Sequence, residues 1–166
     1  MDNRFKYSKN DEVNMVEVEL TQGEADELRE MEKIRADDSN HIFPGPGSQI
    51  SIPLYSRDRA HEFSLDISRG RIDLAKIKYQ NRVYQRIPLL RLDLGYKPHR
   101  NPDDTIISEP HIHIYQEGYM DKWAYPLSTD TYVKIFTNLD DKWTTLRNFL
   151  DFCNIVEPPN IQEGLF

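Results

Sequence analysis

Apolar residues recur every three or four positions near both ends of the chain, which is the period of an α-helix. Near the start, Thr21 and Glu24 have the spacing of a capping box, which predicts a helix over about residues 22–37. Near the end, a second helix is predicted over about 139–154, with Asn138 as its cap. Its apolar face would contain Leu139, Trp143, Leu146, Phe149, Leu150 and Cys153.

Between the two helices the apolar positions alternate, which is the period of a β-strand. Strands are predicted at 50–54, 62–67, 87–94, 110–115, 123–127 and 132–136, whereas residues 72–84 fit either period. The alternation over 14–20 predicts a short edge strand, and residues 1–15 are expected to be flexible. The pattern therefore predicts one α+β domain over 16–166, in which a curved antiparallel sheet from about 50 to 136 is flanked by an N-terminal and a C-terminal helix.

Composition narrows the class of protein. The 166 residues are 38% hydrophobic, enough for one packed core, and contain no run approaching the roughly 18 apolar residues of a spanning helix. The single cysteine, Cys153, excludes an internal disulfide and a cysteine-based zinc site. A soluble cytoplasmic protein without a membrane partner is expected.

The net charge of -7 conceals a strong segregation of charge along the chain. Residues 57–100 carry 11 basic and 5 acidic side chains, whereas residues 1–40 and 101–166 are strongly acidic. The basic stretch can bind nucleic-acid phosphates, or it can pair with the acidic ends of the same chain. The acidic stretches are typical of solvated helix faces, and they can also mimic nucleic-acid phosphate toward a basic partner.

Three of the five histidines lie within fifteen residues, at positions 99, 111 and 113. Alternate residues of a strand share a face, so His111, His113 and Tyr115 are expected to point one way while Ile112 and Ile114 enter the core. The ten-residue loop after His99 is long enough to return the chain beside the preceding strand. We therefore expect His99, His111 and His113 to converge on one pocket bordered by Arg91 and Tyr115.

The segment that contains these histidines resembles a known family. Arg91-x-Asp93, then Pro98-His99 with Asn101 and Pro102, then Pro110-His111-Ile112-His113, is similar to the signature of the TumE-type toxins of bacterial toxin–antitoxin pairs. Residues 60–127 also resemble small bacterial proteins carried on mobile elements. The resemblance implies RNA cleavage or nucleotidyl chemistry, with Arg91, Asp93, His99, His111 and His113 on the functional face. It implies RNA as substrate, and a cognate antitoxin or a nucleic-acid-processing protein as partner.

The residue types agree with cleavage of RNA that needs neither metal nor other cofactor. That reaction requires a base for the 2′-hydroxyl, an acid for the 5′-oxygen and a cation for the phosphorane. His111, His113 and His99 are candidates for the base and the acid, and Arg91 for the cation. The candidates for binding substrate are Arg82, Arg86, Arg100 and Tyr115.

Two other functions remain open. His111, His113 and Glu117 have the spacing of the first metal motif of cupins, so a cupin-like metal site is one alternative. The other is a non-catalytic acidic inhibitor, of phage or anti-CRISPR type, that acts on a nucleic-acid enzyme.

Overall fold

The computed structural model describes residues 19–165. Its elements are α1 (Gln22–Glu30), β1 (Lys33–Arg35), β2 (Asn40–Ile42), β3 (Gln49–Ser56), β4 (Glu62–Arg69), β5 (Ile77–Val83), β6 (Ile87–Asp93), β7 (His99–Arg100), β8 (Ile106–Ile107), β9 (His111–Ile114), β10 (Ala124–Pro126), α2 (Lys142–Phe152), β11 (Ile155–Glu157) and β12 (Asn160–Gln162). Eight strands form one sheet in the order β10-β9-β6-β5-β4-β3-β1-β11. Every neighbouring pair in that sheet is antiparallel except β1 with β11. The described strands also form two small sheets, β2 with β12 and β7 with β8.

The large sheet has one apolar and one polar face, because side chains alternate along each strand. The polar face is clearest in a row of directly paired residues that crosses five strands. That row consists of Ser51, Asp66, Gln80, Arg91 and His113. The apolar face joins both helices in a single hydrophobic core, for example where Tyr79 of β5 stacks on Phe149 of α2 with ring centroids 5.8 Å apart. The predicted α+β fold, with an N-terminal and a C-terminal helix flanking a mostly antiparallel sheet, is confirmed.

Helix α1 begins where the capping box predicts and ends earlier than expected. The Thr21 hydroxyl accepts from the Glu24 amide, and the Glu24 carboxylate accepts from the Thr21 amide. The helix ends at Glu30 rather than at residue 37, because Lys33–Arg35 pairs with β3 and β11. Strand pairing thus overrides a helical period on these residues.

Several other boundaries also differ from the predictions. Asp141, not Asn138, caps α2 by accepting from the amides of Trp143 and Thr144. Residues 132–136 form turns rather than a strand, and the ambiguous segment 72–84 becomes a strand only from residue 77. Strands β11 and β12, which follow α2, were not predicted. The predicted flexible segment 1–15 and most of the predicted strand over 14–20 lie outside the described residues.

No helix among residues 19–165 combines the length and the apolar character needed to cross a membrane.

A buried lysine joins α1, β1 and the end of α2. The Lys33 ammonium donates to the carbonyls of Arg29, Met31 and Cys153 at 2.8–3.0 Å, and the residue is fully buried. Burial lowers the pKa of Lys33 from 10.5 to about 8. The unfolded chain therefore binds this proton more tightly than the folded protein does.

We predict that Lys33 makes stability rise with pH. Between about pH 8 and pH 10.5 the unfolded chain holds more protons than the native state, so the free energy of unfolding increases with pH. Denaturant titrations give the free energy of unfolding of wild type and of Lys33→Met. The wild-type value minus the Lys33→Met value should increase by roughly 3 kcal/mol across that window. The exposed-site control Lys134→Met should leave the slope unchanged, and a flat or falling difference for Lys33→Met would contradict the prediction.

Candidate functional site

The pairing of β6 with β9 builds the centre of the site. In this antiparallel register Arg91 lies opposite His113 and Asp93 lies opposite His111. All four side chains therefore project from the polar face of the sheet. The side chains of His111 and His113 are 3% and 0% exposed, so both imidazoles are almost completely removed from solvent.

His99 reaches the site on a short hairpin, in which β7 pairs with β8. The hairpin is attached to the outer edge of β10 by the buried side chain of Asn101. Its amide nitrogen donates to the Ala124 carbonyl at 3.0 Å and its oxygen accepts from the Ala124 amide at 2.9 Å. Asn101 thus pairs with the edge of β10 as the backbone of another strand would, and this attachment holds the half-buried His99 over β9.

The three imidazoles form one cluster, which we call the histidine cluster: His99, His111 and His113. Their ring centroids are 4.5–5.6 Å apart. One ring nitrogen from each residue lies within 4.8 Å of the others, so the set is able to hold a metal ion. The same spacing lies well within the roughly 10 Å that a phosphodiester can bridge between two hydrogen-bonding groups.

Each imidazole of the cluster is oriented by a backbone carbonyl. His99 Nε2 lies 2.8 Å from the Lys122 oxygen. His111 Nδ1 lies 2.7 Å from the Glu109 oxygen, and His113 Nδ1 lies 2.8 Å from the Asp121 oxygen. A carbonyl oxygen only accepts, so each of these nitrogens carries a proton. The hydrogen bond to the carbonyl thus leaves the other ring nitrogen of each residue directed elsewhere: in His113 that nitrogen, Nε2, accepts from Arg91 Nη2.

Arg91 and Asp93 provide the charges around the cluster. Arg91 donates to the carboxylates of Asp93 and Asp121, and its Nη2 donates to His113 Nε2 at 2.9 Å. Burial by itself would raise the pKa of Asp93, but the contact with His113 and the charges of Arg91 and Lys78 hold that pKa well below its ordinary value. Asp93 is therefore ionised at neutral pH.

Burial also governs the proton affinity of His111. Removal of this imidazole from water lowers its pKa, and the charges of His113 and His99 act in the same direction. The hydrogen bond to Glu109 and the charge of Asp93 oppose this shift without reversing it. His111 is thus held neutral, with an unprotonated nitrogen available.

A cavity of about 250 Å³ opens beside the cluster and is lined by His99 and His111. Its lining carries five basic side chains and one acidic one, Asp93. The basic residues are Lys76, Lys78, Arg91, Lys97 and Arg100. Lys78 and Arg91 also line a second cavity of about 480 Å³ on the polar face of the sheet, so the two cavities adjoin.

The structure places the predicted substrate-binding arginines in different surroundings. Arg100 lines the cavity beside the cluster, with its guanidinium 3.2 Å from Asp104. Arg82 lines the neighbouring cavity, where its guanidinium is paired with Asp66. Arg86 is exposed in the turn between β5 and β6.

Tyr115 and Glu117 lie away from the cluster, which corrects their predicted positions. Tyr115 is buried, and its hydroxyl bonds to both the amide and the carbonyl of Leu20, because β9 ends at Ile114 and the alternation of faces ends with it. Glu117 accepts from the Gln22 amide at the start of α1. The metal-capable set therefore contains His99 in place of Glu117.

Two contributors to the site were not among the predicted site residues. Asp121 binds Arg91 through its carboxylate and His113 through its carbonyl, although it is 30 residues from Arg91 in the chain. Asn101 attaches the hairpin to β10, and the only sequence signal for it is its place in the turn after Pro98-His99. Contacts between residues so far apart in the chain depend on strand pairing, so the periodicity of neighbouring residues does not predict them.

Comparison with protein families gives one finding. The model of DUF6978, a family of unknown function, matches residues 20–155. The chain belongs to the DUF6978 family. The match contains the whole histidine cluster of this DUF6978 protein. Comparison with curated proteins and with solved structures gave no match. The resemblance to TumE-type toxins stays a prediction.

We predict that Asn101→Ala both destabilises the protein and releases His99. The substitution removes two buried hydrogen bonds, which should cost about 1–3 kcal/mol in the free energy of unfolding. The imidazole resonances of His99 should shift toward those of an exposed histidine, as measured by NMR. Asn160→Ala is the matched control, because Asn160 is exposed and donates a single bond to the Asp38 carbonyl. Equal effects of the two substitutions would contradict the prediction.

Proposed function

We propose that this DUF6978 protein cleaves RNA at the histidine cluster, as a toxin-type ribonuclease of a mobile element. One observation carries the proposal: the cluster opens into a cavity with five basic side chains and one acidic one, in a chain whose net charge is -7. Such a local reversal of charge favours an anionic substrate.

The lysines of this cavity support the same substrate. Lys76 and Lys97 have no carboxylate partner within residues 19–165, whereas Lys78 lies 3.5 Å from Asp93. Unpaired ammonium groups at a cavity wall attract phosphate without first breaking an ion pair. The adjoining cavity, which contains Arg82 and Gln80, extends the polar surface along the sheet, as a strand longer than one nucleotide requires.

The proposed reaction follows from these groups. The 2′-hydroxyl oxygen forms a bond to phosphorus while the bond from phosphorus to the 5′-oxygen breaks. His111 Nε2, the unprotonated nitrogen, accepts the 2′ proton. His99, half-buried at the cavity, acts as the acid in its imidazolium form: Nε2 stays bonded to the Lys122 carbonyl while Nδ1 donates its proton to the leaving 5′-oxygen. Arg91 and the lysines stabilise the charge on the phosphoryl oxygens. The products are a 2′,3′-cyclic phosphate and a 5′-hydroxyl.

The partners predicted from the sequence belong to the same proposal. A toxin-type ribonuclease acts on cytoplasmic RNA and requires a cognate antitoxin that blocks its site. Occlusion of the basic cavity by an acidic segment is the simplest form of that inhibition.

We predict that purified protein cleaves RNA oligonucleotides and leaves DNA of the same sequence intact, because the attacking group is the 2′-hydroxyl. The assay compares labelled total RNA and structured RNAs, each with and without EDTA. Cleavage that persists in EDTA supports the reaction with His111 as the base, whereas cleavage that EDTA abolishes would contradict that reaction. His111→Ala should lower the rate at least a hundredfold, the usual range for loss of a general acid or base.

His41→Ala is the matched control, because His41 lies in β2, outside the large sheet. This variant should cleave RNA at the wild-type rate. No cleavage by wild type in any condition, or undiminished cleavage by His111→Ala, would refute the proposal. Inhibition of a nucleic-acid enzyme by both wild type and His111→Ala would support the acidic inhibitor instead.

A further inference from the structure

We infer that the histidine cluster binds one divalent transition-metal ion of the zinc class, through one ring nitrogen each of His99, His111 and His113. The binding itself stands on the geometry of the cluster. Only the role of the ion in catalysis rests on the proposed function.

The orientation of the three rings is the first support. Each imidazole donates one N–H to a backbone carbonyl, from Lys122, Glu109 and Asp121 respectively. Histidines that ligate metals are held in this way, since the hydrogen bond selects the tautomer and directs the other nitrogen toward the ion. Burial requires a partner for the N–H of a buried imidazole, whereas the convergence of three such rings within 4.8 Å is what a metal ion requires in addition.

The second support is the contact between unprotonated nitrogens and a carboxylate. Asp93 Oδ2 lies 3.7 Å from His111 Nε2 and 3.6 Å from His113 Nε2. The Asp93 carboxylate therefore lies beside two of the three candidate ligands, where it is placed to be a fourth ligand of the ion or to orient the histidines.

The dimensions and the donor types agree with zinc. Tetrahedral zinc with Zn–N bonds of 2.0–2.1 Å holds its nitrogen ligands roughly 3.3 Å apart. The ligand nitrogens of the cluster lie within 4.8 Å, so shifts of about 1 Å, mainly of the half-buried His99, complete the site. Three imidazoles favour zinc, copper, iron or nickel over the oxygen-seeking calcium and magnesium.

Arg91 competes with the ion. Its Nη2 occupies the lone pair of His113 Nε2 at 2.9 Å, so this contact must break when the ion binds. The contacts of Arg91 with Asp93 and Asp121 can persist, because they involve other nitrogens of the guanidinium. Removal of Arg91 should therefore strengthen metal binding, which distinguishes a metal site from a set of hydrogen-bonded histidines.

Metal binding changes which group accepts the 2′ proton. A ligated imidazole has no free lone pair, so hydroxide on the ion becomes the base, because the ion lowers the pKa of its bound water. The hydroxide takes the 2′ proton and becomes water, while a second water gives a proton to the 5′-oxygen as the bond from that oxygen to phosphorus breaks. The hydroxide left by the second water takes the metal-bound water's proton, which restores the hydroxide on the ion. The ion also neutralises charge on the phosphoryl oxygens.

The test is titration of untagged, EDTA-stripped full-length protein with Zn²⁺ by calorimetry and with Co²⁺ by visible absorption. We expect one ion per chain and the absorption of tetrahedral nitrogen-ligated Co²⁺. His99→Ala should weaken binding at least tenfold, His41→Ala should match wild type, and Arg91→Ala should bind more tightly. Circular dichroism of each variant without metal checks that the fold is retained.

A lack of stoichiometric binding by wild type, or equal affinity of wild type and His99→Ala, would overturn the inference. RNA cleavage that persists in EDTA without metal binding would overturn it and leave the proposed function intact. One-to-one binding in a protein that cleaves no RNA would establish the metal site and refute the ribonuclease.

Discussion

Two imidazoles, a carboxylate and a guanidinium share a largely buried stretch of one sheet face, and each needs a partner there. Removal of such groups from water is costly unless they are hydrogen-bonded or paired. The register of β6 on β9 meets this requirement, because it sets Arg91 against His113 and Asp93 against His111. A shift of that register by one residue would turn the histidines into the apolar core and bring Ile112 and Ile114 to the polar face.

Backbone carbonyls and the Asn101 side chain hold the histidines in place. The carbonyls that orient the histidines lie just before β9 and just before β10, and Asn101 holds the hairpin of His99 against β10. These supports are backbone groups and a buried amide. His111 and His113 stand on a strand of the large sheet, which favours a precise geometry, whereas His99 stands on the hairpin of β7 and β8.

The net charge of the chain and the charge of the cavity beside the cluster have opposite signs. The chain is acidic as a whole, yet the basic stretch 57–100 folds so that five of its side chains line the cavity beside the cluster. This local excess of basic side chains favours the binding of an anion in the cavity.

The sequence by itself determined the helical and alternating segments, the α+β class and the shared face of His111 and His113, since these follow from the period of neighbouring residues. Only the tertiary structure decided that α1 ends at Glu30, that Tyr115 and Glu117 leave the site, and that Asp121 enters it. These outcomes depend on which strands pair and in which register. The stability of such pairings comes from contacts between residues that are far apart in the chain, so a pattern of neighbouring residues cannot predict them.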